Sequence, residues 1–197
     1  IVRAMKEFSH PGAVEKQAID LNRAIESTVV VSTNEWKYVA AVEFDLDRTL
    51  PLIPCYVGEF NQVILNLLVN SAHAIEDVLK SSGSGVGRGK IFISTRRLGS
   101  SAEIRIQDSG AGISDSIAEK IYDPFFTTKD VGKGTGLGLS TVYGIIKQSG
   151  GYIYVASKEN EGTNFSLFFP SVAPEQVTTA AAESEAIEKA STGDLTG

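Results

Sequence analysis

A row of carboxamide side chains is the first feature of this sequence that could do chemistry. Gln62, Asn66 and Asn70 are spaced by four residues, and Asp77 lies near the same stripe, so a helix would place them on one face. An asparagine offers a hard carbonyl oxygen and an NH2 donor, which suits a Mg²⁺ that already carries phosphate oxygens and water. Taken alone, these residues fit a polar, solvent-exposed helix face equally well.

A second candidate is Asp108, which directly follows an alternating strand pattern and is followed by Gly110 and Gly112. A carboxylate at the end of a strand can accept a hydrogen bond from an exocyclic amine such as adenine N6. The two glycines allow a tight turn and a close approach of the backbone to a flat ligand. An ordinary turn is the alternative, because so short a pattern is weak evidence by itself.

The third candidate is a glycine-rich segment, residues 132–140, which reads Gly-Lys-Gly-Thr-Gly-Leu-Gly-Leu-Ser and leads into a helix. Its consecutive N–H groups and the positive helix start favour phosphate binding. It has neither the GK[ST] ending of a P-loop nor the spacing of a dinucleotide fingerprint. Upstream, Phe125 and Phe126 could pin a mobile lid and Lys129 could meet a phosphate; a core position for the two phenylalanines is the alternative.

The elements that must position these residues follow from hydrophobic periodicity. The sequence predicts helices over residues 17–34, 58–80 and 139–148, and strands around residues 42–47, 91–95, 103–107, 152–156 and 164–169. Residues 108–138 are punctuated by glycine and are predicted to be mostly irregular. The sum is an α+β fold, a two-layer α/β sandwich in which helices cover one face of a mixed sheet.

The bulk composition bounds the class of protein. The chain has 197 residues with 42% hydrophobic and 21% charged side chains, which is ordinary for a soluble domain. Its net charge of −6 argues against binding nucleic acid. The single cysteine, Cys55, lies in an apolar run and is interpreted as a small buried residue. No apolar run reaches the length of a membrane helix, so we expect no direct membrane contact by this segment. We expect a cytoplasmic location, which also fits the cytoplasmic part of a membrane-anchored sensor.

Taken in order, these segments resemble the motifs of the sensor histidine kinases over roughly residues 20–170. Asn66-x-x-x-Asn70 resembles the N box, Asp108-x-Gly110-x-Gly112 the first glycine box, Phe125-Phe126 the F box, Gly134-x-Gly136-x-Gly138 the second glycine box, and Gly162-Thr163 the final adenine-contact motif. The resemblance implies the Bergerat ATP-binding fold, which this family shares with DNA gyrase, the MutL-type repair proteins and the Hsp-class chaperones.

The resemblance also implies ATP and Mg²⁺ as cofactors and assigns roles to single residues. Asp108 would read adenine, Asn70 would bind Mg²⁺, Asn66 would support the phosphates, and Thr163 would support the adenine network. His73, one turn after Asn70, would touch phosphate or simply be solvated. The residues expected to bind the nucleotide are Asn66, Asn70, His73, Asp77, Asp108, Gly110, Gly112, Ile113, Phe125, Thr128, Lys129, Gly134, Thr135, Gly136, Leu137, Gly138, Leu139 and Thr163; the catalytic set is Asn66, Asn70 and Lys129.

One departure within the superfamily separates the candidate activities. The ATPase relatives place a water-activating Glu where this chain has Asn66, and an asparagine cannot act as a general base at neutral pH. The resemblance therefore implies a protein-histidine kinase that transfers the γ-phosphate to a histidine on a dimerisation helix in two-component signal transduction. The alternatives are a nucleotide-gated ATPase-like module, a degenerate nucleotide-binding module and a serine kinase of the anti-sigma type.

The domain boundaries and partners follow from the same resemblance. Residues 1–12 are expected to end the dimerisation and phosphoacceptor hairpin, residues 13–170 to form the catalytic domain, and residues 171–197 to be a flexible tail or linker. His10 is followed at once by Pro11-Gly12, which breaks a helix, so the acceptor histidine is expected upstream of this fragment. The implied partners are the upstream helices of a homodimer and the receiver domain of a response regulator in a phosphorelay.

Overall fold

The structure is a computed structural model, and it describes residues 16–82, 87–129 and 134–171. The predicted hairpin end at residues 1–12, and all but the first residue of the predicted tail, lie outside the described residues.

The described residues form one five-stranded sheet and one two-stranded sheet. The strands are β1 (Gln17–Ile19), β2 (Ala40–Leu46), β3 (Ile53–Cys55), β4 (Gly89–Leu98), β5 (Ser101–Asp108), β6 (Tyr152–Lys158) and β7 (Gly162–Pro170). The large sheet has the order β2-β4-β5-β7-β6, and β1 pairs with β3. Strands β2 and β4 run parallel while the other neighbours are antiparallel, so the sheet is mixed, as predicted.

The described residues form five helices: α1 (Leu21–Val31), α2 (Thr33–Trp36), α3 (Val57–Ser82), α4 (Asp115–Ala118) and α5 (Gly138–Gln148). Helix α3 packs against β4 and β5, α5 packs against β6, and α1 and α2 pack against α3. The apolar stripe of α3 is fully buried together with the inward side chains of β4 and β5; its members are Val63, Ile64, Leu67, Leu68 and Ile75 opposite Ile91, Ile93, Ile104 and Ile106. None of the helices in the described ranges is long and apolar enough to cross a membrane.

The predicted helix over residues 17–34 is wrong at its start. Residues Gln17–Ile19 form a strand, and the helix begins at Leu21 because the Asp20 carboxylate accepts a hydrogen bond from the Arg23 N–H at 3.1 Å. The partner strand Ile53–Cys55 was not predicted, because Pro54 in its centre argues against a strand. A strand in a two-stranded sheet has a free edge, and such an edge tolerates proline.

The end of β5 is where the fold brings distant parts of the chain together. Asp108, the last residue of β5, lies opposite Thr163 near the start of β7. Gly162 has φ +91°, and a Cβ there would lie 2.0 Å from the Asp108 carbonyl oxygen. Only glycine therefore allows β7 to start this close to Asp108.

Candidate functional site

The carboxylate of Asp108 is buried, with 5% of the residue exposed. It accepts hydrogen bonds from the Ser71 hydroxyl at 3.0 Å and the Gly110 N–H at 2.9 Å, and a third from the Thr163 N–H. Burial raises the pKa of Asp108, while these three hydrogen bonds oppose the rise. An ionised carboxylate offers about four acceptor positions, so roughly one is left for a ligand.

The turn after Asp108 is pressed against its surroundings on two sides. A Cβ on Gly110 would lie 2.6 Å from the Ala74 Cβ on α3, and Gly112, at φ +71°, would place a Cβ 2.0 Å from the Lys158 carbonyl oxygen. The next residue, Ile113, donates its N–H to the Ser157 hydroxyl at 2.8 Å. The backbone beside the Asp108 carboxylate is thus held in place by packing against α3 and β6.

The two asparagines of α3 face the start of α5. The Asn66 side-chain NH2 donates to the Gly138 carbonyl oxygen at 3.3 Å. A Cβ on Gly138 would lie 3.7 Å from the Asn70 side-chain nitrogen. Both asparagines are half-buried, whereas Asp77, farther along the helix, is exposed. Of the predicted stripe, Asn66 and Asn70 therefore face the start of α5, whereas Gln62 and Asp77 are exposed to solvent.

The segment predicted to form a lid, residues 124–138, is described on both sides of residues 130–133, and these two parts are joined by a backbone hydrogen bond. The Phe125 N–H donates to the Gly136 carbonyl oxygen at 3.0 Å. Phe125 has φ +67°, and 74% of it is exposed, so a core position is excluded for it. Gly136 has φ +65°, and a Cβ there would lie 2.3 Å from the Phe125 carbonyl carbon. The backbone at Phe125 thus packs directly against the glycine-rich segment at Gly136.

A basic pair lies between the lid and α3. The Lys129 Nζ is 2.6 Å from the His73 Nδ1. Burial, and then the charge of Lys129, lower the pKa of His73. Burial lowers the pKa of Lys129, while Asp77 and Glu76 oppose that change. The pair places a cation and a neutral imidazole one turn beyond Asn70.

The other predicted site residues lie around this centre. Thr128 is exposed, Thr135 accepts the Leu137 N–H at 3.3 Å through its hydroxyl, and Leu139 packs against the core. Gly134 fits closely against the lid, since a Cβ there would lie 2.5 Å from the Thr127 hydroxyl oxygen.

Two serines near Asp108 were not predicted. Ser71 follows Leu67 by four residues and so falls on the buried stripe of α3; a lone hydroxyl in that stripe was the available signal. Ser157 accepts the Ile113 N–H, and its hydroxyl is 2.9 Å from that of Thr163. A cavity of about 310 Å³ at the β6–β7 hairpin is lined by Ser157 and Thr163. Of the predicted site residues only Thr163 lines it, so the arrangement of donors and acceptors locates the site better than this cavity does.

A family model described as "Histidine kinase-, DNA gyrase B-, and HSP90-like ATPase" matches residues 57–173. Because that match spans more than half of the chain, the chain belongs to this family. The predicted resemblance to the sensor histidine kinases is confirmed by its relatives.

Curated relatives match over most of this chain. It is 33% identical over 215 aligned residues to the sensor kinase CckA of Brucella abortus (strain 2308), covering 100% of this chain and 22% of CckA. It is 34% identical over 171 residues to the sensor histidine kinase ZraS of Escherichia coli (strain K12), covering 86% of this chain and 34% of ZraS. The chain thus spans about a fifth to a third of the length of these relatives.

Solved structures confirm the predicted fold. The catalytic domain of histidine kinase ThkA, in a nucleotide-free form, is 29% identical with a TM-score of 0.64, covering 80% of this chain and 97% of that one. The mycobacterial sensor histidine kinase MprB reaches a TM-score of 0.64 at 18% identity, covering 80% of this chain and 99% of that one, which is a likeness of fold alone. The two-layer α+β sandwich is that of the histidine kinase catalytic domains.

Proposed function

We propose that this chain is the catalytic domain of a sensor histidine kinase, which binds Mg-ATP and passes the γ-phosphoryl group to a histidine on a dimerisation helix. The observation that carries the proposal is the buried Asp108 carboxylate with one acceptor position left for a ligand. On α3, which also carries Ser71, Asn66 and Asn70 face the start of α5.

The residues around Asp108 fit an adenine ring. The free acceptor position suits one N–H of the N6 amino group. Gly110 and Gly112 let the turn after Asp108 pack directly against α3 and β6, which fixes the backbone beside the carboxylate that would hold the base. Thr163 and Ser157, joined at 2.9 Å, hold the strand on the other side of the carboxylate.

The residues on the lid side fit a magnesium triphosphate. Mg²⁺ prefers oxygen ligands, keeps several waters and shares phosphate oxygens, and the Asn70 amide oxygen supplies such a ligand. The start of α5 favours negative charge, and Lys129 and His73 add the cation. Bound Mg²⁺ would supply charge neutralisation at the transferred group. Lys129 would exchange its contact with His73 for one with phosphate.

Asn66 favours transfer to an external acceptor over hydrolysis. Its amide has no basic site for a water proton at neutral pH, and its NH2 group already donates to Gly138. It therefore positions the lid and the phosphates. Such a site catalyses by orientation and electrostatics, and it awaits a nucleophile from the dimerisation helices. We propose these helices and the receiver domain of a response regulator as its partners.

Titration calorimetry with a non-hydrolysable ATP analogue, with and without Mg²⁺, tests the nucleotide site. Wild type should bind, and Mg²⁺ should strengthen binding. Asp108→Asn should weaken binding at least about 100-fold, since the new NH2 group meets the donors that the carboxylate accepted. Asp115→Asn, which changes an exposed acid at the start of α4, is the matched control and should bind as wild type does. Absence of binding by wild type contradicts the proposal.

Transfer is tested in the full-length protein. With labelled ATP it should form a base-stable, acid-labile phosphohistidine, and Asn70→Ala should abolish it while leaving the melting curve unchanged. Release of phosphate to water at a rate matching ATP consumption would support an ATPase instead.

A further inference from the structure

Ser71 has a buried hydroxyl whose single proton points to the base-reading carboxylate. Only 1% of Ser71 is exposed, and its Oγ donates to the Asp108 Oδ2 at 3.0 Å. The residue precedes the half-buried His73 by two positions but lies on the core side of α3. The proposed function gives this contact no role beyond stability.

We propose that Ser71 is a positioning residue for nucleobase specificity: its hydroxyl holds Asp108 as a pure hydrogen-bond acceptor, so the site takes 6-aminopurine nucleotides and rejects 6-oxopurine nucleotides. The inference rests on the proposed function, because it concerns which base the same site accepts.

Three donors already occupy acceptor positions of the Asp108 carboxylate. The Gly110 N–H occupies one position on Oδ1, the Ser71 hydroxyl occupies one on Oδ2, and the Thr163 N–H supplies a third hydrogen bond. The position that remains can only accept, since an ionised carboxylate has no proton to give. The Ser71 hydroxyl proton is used in its hydrogen bond to Asp108, so Ser71 has no proton left to donate to a 6-oxo group. A 6-amino group matches this arrangement, and a 6-oxo group meets unpaired lone pairs.

Burial raises the pKa of Asp108 and so favours the protonated carboxyl, whereas the hydrogen bond from Ser71 lowers this pKa. A buried carboxyl favours its neutral form, and a protonated Asp108 could donate a hydrogen bond to a 6-oxo group. Within the described residues, the groups that act on the pKa of Asp108 are Ser71, Gly110 and Thr163, all uncharged and all stabilising the ionised form. The two backbone donors are fixed by the fold, so Ser71 is the one side chain among them that substitution can remove.

The test compares ADP with inosine diphosphate, whose ring carries a 6-oxo group and N1–H instead of the 6-amino group. Affinities for both are measured from pH 5 to pH 8, without Mg²⁺, on the 197-residue chain. Wild type should prefer ADP about 100-fold at every pH. Ser71→Ala should lower the ratio about ten-fold, and more so toward acid pH, where Asp108 gains a proton.

Three variants separate specificity from folding. Ser71→Thr keeps the hydroxyl and should restore the ratio. Ser71→Cys, a weaker donor, should lie between Ser71→Thr and Ser71→Ala, and it serves if Ser71→Ala fails to fold. Ser94→Ala removes the hydroxyl of a buried serine in β4, 7% exposed, and should leave the ratio unchanged. The ¹³C titration of the Asp108 carboxyl, followed without nucleotide, should move to higher pH in Ser71→Ala, less so in Ser71→Cys, and not in Ser71→Thr or Ser94→Ala.

Each outcome decides the matter. A ratio unchanged in Ser71→Ala, or equal losses of affinity for both nucleotides, overturns the role of Ser71 and leaves the proposed function standing. A wild type that binds ADP without preference also overturns this inference alone. A wild type that binds neither nucleotide overturns the proposed function and this inference together.

Discussion

The contact between His73 and Lys129 joins two basic side chains at 2.6 Å. A lysine ammonium has no acceptor, so the His73 Nδ1 must supply the lone pair and the imidazole must be neutral. Burial and the Lys129 charge both lower the pKa of His73, while Glu76, Asp77 and Glu35 oppose them. As pH falls through this lowered pKa, the acceptor is lost and two cations face each other.

The affinity of the site for ADP should therefore rise as the medium becomes acidic. Protonated His73 releases Lys129 and adds a second positive charge beside the phosphates, so affinity should increase by up to about ten-fold for each unit by which phosphate raises the pKa of His73. Calorimetry between pH 5 and pH 8 measures this. His73→Gln keeps a hydrogen-bond acceptor without a titrating group, and it corrects for protonation of the nucleotide itself. Equal pH profiles for the two proteins would show that His73 plays no part.

At this scale the sequence predicted the types of residue better than their contacts. Asp108, Asn66 and Asn70 could be selected because their side chains suit a ligand and their spacing is regular. For Ser71 the sequence offered only a hydroxyl on the buried stripe, and its partner became known only when β5 placed a carboxylate 3.0 Å away. That distance depends on how α3 packs on the sheet, which spacing along one helix does not encode.

At the scale of elements, the lid depends on one glycine. Gly136→Ala should disrupt the backbone pair with Phe125, because φ is +65° and the new Cβ would lie 2.3 Å from the Phe125 carbonyl carbon. We expect Mg-ATP affinity to fall at least about ten-fold, with faster hydrogen exchange in residues 124–129. The melting temperature should change little, since neither Phe125 nor Gly136 belongs to the buried core. Unaltered exchange in those residues would show that the pair is dispensable.

Gly144→Ala is the matched change within α5. Gly144 is exposed in the helix interior, and a Cβ there meets nothing within 4 Å. Alanine is the better helix former, so this variant should gain about 0.5–1 kcal/mol in free energy of unfolding, measured by urea denaturation. Nucleotide affinity should equal that of wild type. A loss of stability would mean that the surroundings of Gly144 are more crowded than the structure shows.

The long elements were predictable, and the short ones were not. Helix α3 has a regular apolar stripe along its length, so its predicted span of residues 58–80 agrees with Val57–Ser82. The pairing of β1 with β3 was missed, since three residues around Pro54 give no periodic signal. Their partnership is fixed by the position of each strand in the folded chain, and neither segment predicts it alone.

At the scale of the whole molecule, α3 belongs both to the core and to the site. Phe60, at its first turn, is buried with its ring in edge contact with Phe169 on β7 at 5.5 Å between centroids. Phe60→Ala should lower the free energy of unfolding by about 3–5 kcal/mol through lost burial and a cavity. Affinity for ADP in the folded fraction should stay the same, because Phe60 lies far along α3 from Ser71. A loss of affinity at unchanged stability would contradict this separation of the core from the site.

Cys55 offers a chemical measure of the same global stability. It is the one cysteine of the chain, 1% exposed, and burial raises its pKa to about 12. A thiol reagent at pH 8 should therefore react only as the molecule unfolds. Labelling should quicken with urea in step with the loss of helical signal, and Phe60→Ala should accelerate it at least about 100-fold. Rapid labelling of the wild type in plain buffer would place Cys55 in a locally open region.

The pairing of Asp108 with Thr163 also orders events in time. The Asp108 carboxylate takes its hydrogen bonds from Ser71, Gly110 and Thr163, which are far apart in the sequence. Strand β7 (Gly162–Pro170) is synthesised after every other strand of the described residues. A nascent chain whose β7 has not yet left the ribosome would contain Asn66, Asn70 and Asp108. It would still lack the strand that fixes the Asp108 carboxylate in place. The chain would then gain the ability to bind nucleotide in one late step of synthesis. A product truncated before residue 162 would not bind nucleotide.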